Sequence, residues 1–292
     1  MPSTHAPNLT TPTPTPPHKG EGKFVGAPMP PANTPHTAPI VALHGVGKTF
    51  PSGTVALAGL DLDVRQGEFL SLLGPSGCGK STALRIIAGL TEPTQGVVDW
   101  TAAAKTENEN RLGFVFQEPT LMPWVNVFNN VLLPLKLKGV PADKAGARVE
   151  AALDRVGLQK FAAAYPRELS GGMRMRASIA RALVMEPALL LMDEPFAALD
   201  EITRFKLNND LLQVWQALRT TVVFVTHSVF ESVYLSSRIV VMAARPGRVF
   251  TELAIDAPYP RAQTFRTSAE YAALCRRTSD ALAQAMAAGG EP

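Results

Sequence analysis

The octapeptide Gly74-Pro75-Ser76-Gly77-Cys78-Gly79-Lys80-Ser81 restricts this chain more than any other feature of it. It has the form GxxxxGK[ST], which arises by chance in roughly one chain in a hundred of this length. Phosphates need many hydrogen-bond donors at close range. Backbone N–H groups supply them only where side chains stay out of the way, which is the use of the glycines. A helix beginning at Lys80 directs its free N–H groups and positive dipole end at the anion. Lys80 adds a full charge for the β- and γ-phosphates, and Ser81 offers a hydroxyl to Mg2+. Such a loop works between a strand and a helix, and the flanking residues agree. Glu68–Leu73 reads as a strand, and Leu84, Ile87 and Leu90 follow at i, i+3 and i+6.

The rest of the chain predicts an α/β fold. Two almost wholly apolar runs, Ala188–Met192 and Thr221–Val225, are separated by a helical stretch from about Asp200 to Leu218. Apolar strands joined by helices mark a mostly parallel sheet covered on both faces. Ile40–Leu43 and Val55–Val64 form a β-rich N-terminal part, and Leu112–Phe116 reads as a further strand. Residues 119–186 are mostly helical in pattern, with Val149, Leu153 and Val156 on one face. Ile239–Met242 and Val249–Leu253 flank Arg245-Pro246-Gly247-Arg248, whose Pro-Gly suits the centre of a type II turn in a hairpin. A helix over about 267–287 closes the chain.

Composition sets the surroundings. Residues 1–39 hold 11 of the 25 prolines and almost no aliphatic side chains. They bury too little apolar area to offset about 1–2 kcal/mol of backbone entropy per residue, so they read as a disordered Pro/Thr-rich tail or a proline-recognition peptide. A net charge of +3 is too close to neutral for a nucleic-acid surface. Cys78 and Cys275, the two cysteines, form no metal pattern and fit a reducing, cytoplasmic setting. Apolar runs fall short of the ~18–20 residues that span a bilayer, and no secretory signal is visible at the N-terminus. Any membrane role is therefore expected to run through a partner.

A phosphate loop does not separate kinases, GTPases and motors. Leu189-Leu190-Leu191-Met192-Asp193-Glu194-Pro195 narrows the choice. A buried strand delivers two carboxylates at its C-terminal edge, where open α/β sheets bind ligands. Asp193 is placed to hold Mg2+, directly or through water, and Glu194 to polarise an attacking water, which a hydrolase needs and a kinase does not. The alternative is that both acids cap the following helix.

Leu169-Ser170-Gly171-Gly172-Met173 lies between the loop and this strand. Alone it reads as a helix start capped by Ser170. Together with the phosphate loop, Asp193-Glu194 and the later His227, it resembles the signature of the ABC ATPase family. The resemblance covers about residues 40–254. It implies a P-loop NTPase core with a mostly parallel sheet, an N-terminal antiparallel β-subdomain and an inserted helical subdomain at about 119–186. A C-terminal helical extension would occupy 255–292. It also implies that two copies bind ATP head to tail, with Ser170, Gly171 and Gly172 of one reaching the γ-phosphate held by Lys80 of the other. Thr82 joins the loop residues Gly74–Ser81 in contacting nucleotide, and Phe50 stacks on adenine; the alternative for Phe50 is a core position. Gln117 reaches Mg2+ and the attacking water, or is an ordinary loop residue. Asp200 ends the Ala197–Asp200 loop through which opposing subunits sense each other, and His227 contacts the γ-phosphate as a neutral imidazole.

Within the family, Met122-Pro123-Trp124, Ser170–Met173 and Ala244–Arg248 resemble the nitrate/sulfonate/taurine importer branch. That branch implies two integral-membrane permease subunits, a separate substrate-binding protein and a peripheral place on the cytoplasmic face of the cell membrane. Met173 and Met175 stand where glutamine is usual, and Ser228 where aspartate is frequent. Leu121–Leu133 reads mainly as core, near where the family grips its membrane subunit. The rival reading, a soluble ABC ATPase of DNA repair or translation, lacks the long coiled coil or second cassette those proteins carry.

Overall fold

The computed structural model describes residues 39–101 and 112–289. The tail expected over residues 1–39 lies outside the described residues except for Pro39, which belongs to the first strand.

A six-stranded sheet has the order β5-β6-β7-β3-β8-β9. Its strands are β3 (Phe69–Leu73), β5 (Leu112–Val115), β6 (Leu189–Asp193), β7 (Thr221–Thr226), β8 (Arg238–Ala243) and β9 (Arg248–Ala254). All neighbours are parallel except β8 and β9. Beside it stands an antiparallel sheet of β2 (Val55–Arg65), β1 (Pro39–Thr49) and β4 (Gln95–Trp100), in that order. The helices are α1 (Lys80–Ile87), α2 (Val127–Leu137), α3 (Ala142–Arg155), α4 (Gly171–Leu183), α5 (Glu201–Leu218), α6 (Val229–Leu235) and α7 (Ala269–Ala288).

Alternation along the buried strands explains the two cores. Phe69 and Leu73 of β3, with Leu190 and Met192 of β6, face a core built with α2–α7. Leu70, Leu72, Leu189 and Leu191 face the opposite core, formed with α1 and the antiparallel sheet. Every residue of β3, β6, β7 and β8 is buried. A buried aliphatic side chain contributes about 1.5–3 kcal/mol, so these strands hold two layers at once. Val149 and Leu153 are buried in α3 and Val156 just beyond it, as the spacing predicts.

Three local details differ from expectation. The first strand runs through Thr49 rather than stopping at Leu43, with register shifts along its pairing to β2. Strand β4 lies outside the expected strands: only Val98 and Trp100 of it are half-buried, packed on the second core, and the rest is exposed. The β8–β9 hairpin exists, but its turn is not type II: the positive φ belongs to Arg245 (59°), and the Arg245–Pro246 bond is cis.

The C-terminal segment is anchored on α6. Arg261 is buried, and its guanidinium donates to the carbonyls of Val233, Tyr234, Ser236 and Ala257. Its charge meets the carbonyl end of α6, where a cation is favoured by the helix dipole.

Candidate functional site

Parallel pairing sets Leu73 beside Thr226 and Asp193 beside Val225, so β3, β6 and β7 end at one edge. The chemistry gathers there. Beyond β3 the chain turns through residues 74–79 into α1, whose N-cap Gly79 has φ 90° and supplies no side-chain cap. A Cβ at Gly79 would lie 2.6 Å from Leu57 Cδ2 and 2.8 Å from Ala56 O, so the close approach of β2 requires glycine. The first N–H groups of α1 are thereby left for a ligand.

Lys80 is 4% exposed, and its Nζ donates to Gly74 O (2.8 Å) and Pro75 O (3.0 Å). The loop thus wraps its own lysine. Ser81 Oγ donates to Asp193 Oδ1 at 2.7 Å. Burial pushes the Asp193 carboxyl above its usual range; the Ser81 bond opposes this and the Glu194 charge adds to it. Cys78 is buried with Sγ 3.8 Å from Lys80 Nζ, and burial raises its thiol pKa, which keeps it protonated and unreactive.

Glu194 follows β6 with φ 45°, a left-handed conformation uncommon for a residue with a side chain. Its N–H still donates to Val225 O (3.1 Å). The turn brings Glu194 Oε1 to 3.9 Å from Lys80 Nζ and Oε2 to 3.3 Å from His227 Nδ1. Sequence-distant candidates Lys80, Ser81, Asp193, Glu194 and His227 are therefore one cluster, and neither Asp193 nor Glu194 serves as a helix cap: α5 is capped by Asp200.

The remaining candidates sit around it. Gln117 is exposed two residues beyond β5, on the same sheet edge. Phe50 is 38% exposed just after β1 with Lys48 Nζ 5.5 Å from its ring, so it is no core residue. Asp200 accepts from Thr203 N–H (2.9 Å), which holds its carboxyl below the ordinary range. Ser170 is exposed and accepts from Met173 N–H (3.3 Å) at the start of α4, while Gly172 is buried against α5. Among the described residues, no hydrogen bond joins Ser170, Gly171 or Gly172 to the 74–82 loop. One residue read in the sequence only as part of a turn also supports the site. Gly247 in the β8–β9 turn exchanges hydrogen bonds with β2, from Gly247 N–H to Ala56 O and from Ala58 N–H to Gly247 O, both 3.0 Å. There it backs the phosphate loop.

The family profile described as ABC transporter matches residues 57–197, from the strand behind the phosphate loop to just past Glu194. An ABC transporter ATP-binding protein of Methanocaldococcus jannaschii is 50% identical over 216 residues, 74% of this chain and 81% of that protein. This chain belongs to the ABC transporter ATP-binding family. The aliphatic sulfonates import ATP-binding protein SsuB of Bacillus cereus is 42% identical to this ABC ATPase over 228 residues, covering 77% and 89% of the two chains. Among solved structures, a dimeric ATP-binding cassette in a post-hydrolysis state with ADP and Pi matches with TM-score 0.65 and 35% identity, over 74% of this chain and 98% of that one. CbiO1 of Clostridium perfringens, part of the ABC transporter complex cbiONQ, matches with TM-score 0.67 and 28% identity, over 75% and 89%. The chain is thus the ATP-binding, ATP-hydrolysing subunit of a transporter. Among its described residues, no helix is long and apolar enough to cross a membrane.

Proposed function

We propose that two copies of this ABC ATPase close head to tail around ATP and drive an importer for small solutes of the nitrate, sulfonate or taurine type. The likeness to an aliphatic sulfonates import protein supports the importer branch. In this reading the dimer sits on the cytoplasmic face of the cell membrane, beneath two permease subunits served by a separate substrate-binding protein.

The observation that carries the reading is the Lys80–Glu194–His227 cluster, a cation, a carboxylate and an imidazole within 4 Å of one another in turn. Lys80 and the N–H groups of residues 74–82 bind the phosphates, and Phe50 covers the adenine. Glu194 orients a water and accepts its proton as the water attacks, while His227 contacts the γ-phosphate. Mg2+ fits at Ser81 and Asp193, where a hydroxyl and a carboxylate oxygen converge at 2.7 Å and supply the hard oxygen donors such an ion takes, with Gln117 on the same edge. When bound, the ion neutralises charge on the phosphates. Ser170, Gly171 and Gly172 stand exposed or at a helix start to complete the partner's site, and Asp200 ends the Ala197–Asp200 loop through which the two subunits sense each other.

Mixed dimers test this arrangement. Lys80→Ala damages a subunit's own cradle, and Ser170→Ala the contact it donates. Each homodimeric variant is defective at both sites, since loss of one positioned donor typically costs on the order of 3 kcal/mol. In a mixed dimer of the two, contacts made in trans place both lesions in one site and leave the other intact. With Glu194→Gln in both chains to slow hydrolysis, the expected occlusion is about one ATP per mixed dimer. A value near zero in dimers shown to form overturns the head-to-tail arrangement.

A further inference from the structure

A second polar cluster is buried directly behind His227, and the hydrolytic reading leaves it unused. Thr226 Oγ1 donates to Glu231 Oε2 at 2.6 Å and accepts from Ser228 N–H at 3.0 Å. The residue enclosed between Thr226 and Ser228 is His227. Ser228 Oγ in turn accepts from Glu231 N–H (3.3 Å) and caps α6. A hydroxyl has a single proton. Because the carboxylate takes it, the lone pairs of Thr226 remain for Ser228 N–H, and the turn that presents the imidazole is held in one form.

The other oxygen of the carboxylate faces α5. Glu231 Oε1 is 3.6 Å from Arg204 Nε, and both atoms are buried without a hydrogen-bond partner among the described residues. Arg204 Nη2 meanwhile donates to Leu199 O at 3.0 Å, one residue before Asp200. Glu231 is 7% exposed; burial raises its carboxyl pKa, opposed first by the Thr226 bond and then by the Arg204 charge. A charge buried this far from water is retained in a fold only where its partners hold it. Here the partners lead in two directions, to the turn around His227 and to the Ala197–Asp200 loop.

We propose that Glu231 is a positioning residue for His227 and that, through Arg204, it links the orientation of that imidazole to the Ala197–Asp200 loop. The proposal rests on the role given to His227 above. In a head-to-tail dimer that loop meets the partner, so closure of the dimer is felt at the histidine through Leu199, Arg204, Glu231 and Thr226. An acceptor on both oxygens suits this place, because the carboxylate faces Thr226 Oγ–H on one side and Arg204 Nε–H on the other, with the buried Asn208 amide beside it. A glutamine offers one acceptor and turns its NH2 on the other donor.

The test uses the full chain with isotope-labelled histidine rings, read by NMR, beside kcat and KM for ATP. The chain has five histidines, so His5, His18, His36 and His44 are internal controls once the His227 signal is assigned by its loss in His227→Ala. In Glu231→Gln the His227 resonance is expected to move while the other four stay. Its kcat should fall about tenfold with KM changed less than about twofold. Thr226→Val should displace the same resonance, and Thr226→Ser, which keeps the hydroxyl, should restore it. Combining Glu231→Gln with Thr226→Val should be no worse than the poorer single variant, since both act on the one Thr226–Glu231 link. A His227 resonance unmoved by both Glu231→Gln and Thr226→Val overturns the proposal, as do losses in kcat that multiply in the double variant. If Glu231→Gln does not fold, the Thr226→Val and Thr226→Ser spectra decide alone. A His227→Ala enzyme with wild-type kcat overturns the hydrolytic role of His227 instead, while the spectra still report whether Glu231 holds the ring.

Discussion

Lys80 and Glu194 face each other across 3.9 Å, with Lys80 almost wholly buried. In the proposed mechanism a γ-phosphate held at Lys80 would lie beside the carboxylate proposed to activate water. The left-handed φ of Glu194 is what turns the carboxylate out of the strand direction and toward the loop. Removing the charge while keeping the shape separates binding from chemistry. Glu194→Gln is expected to bind ATP within about threefold of wild type and to lose at least about a hundredfold in turnover, because a positioned base contributes 10²–10⁴ in rate. Steady-state hydrolysis and nucleotide titration check this. Turnover within threefold of wild type removes Glu194 from its role.

Strands and helices place these groups, and one contact between elements does so without touching ATP. The β8–β9 turn reaches across to β2 and to the phosphate loop, where a Cβ on Gly247 would collide with the carbonyl oxygens of Cys78 and Ala56. Backbone atoms on both sides leave no flexible side chain to give way. Gly247→Ala must therefore displace either the turn or the loop. The expected outcome is ATP affinity weakened by at least about tenfold together with a lower melting temperature. Isothermal titration and a thermal melt measure both. Unchanged affinity would show that the hairpin does not support the phosphate loop.

For the molecule as a whole, the groups assigned to one reaction lie on surfaces that the chain does not itself bring together. Ser170 caps α4 and remains exposed, while the phosphate loop lies between β3 and α1. The proposed ATP-driven dimerisation would bring the two together across an interface. Glu194→Gln, which retains the nucleotide, is expected to elute from a sizing column at twice its monomer mass with ATP and at its monomer mass with ADP. A monomer under both conditions at saturating ATP sinks the proposed closure.

Glycines at fixed spacing, a buried apolar run ending in two acids, and a capped Ser-Gly-Gly helix start were legible along the chain because each is local chemistry: loop flexibility, strand burial and N-cap donors act between near neighbours. That is why the α/β class, the phosphate loop and the strand-end carboxylates could be read before any fold was known, whereas His227 was tied to them only through the family resemblance. Strand β4 could not, because Gln95–Trp100 is an edge strand whose only inward residues are Val98 and Trp100, too short an alternation to mark it, and it exists through its pairing with β1. The hairpin at Arg245–Arg248 was legible but not its turn type, because the close approach of Ala56 and Cys78 constrains Gly247 more than any turn propensity does. Glu231 has no local pattern in the sequence that marks it for a role in the site. Folding buries it between Thr226 and Arg204, residues of β7 and α5, and contacts of that kind are made by the packing of distant elements rather than by neighbours in the chain.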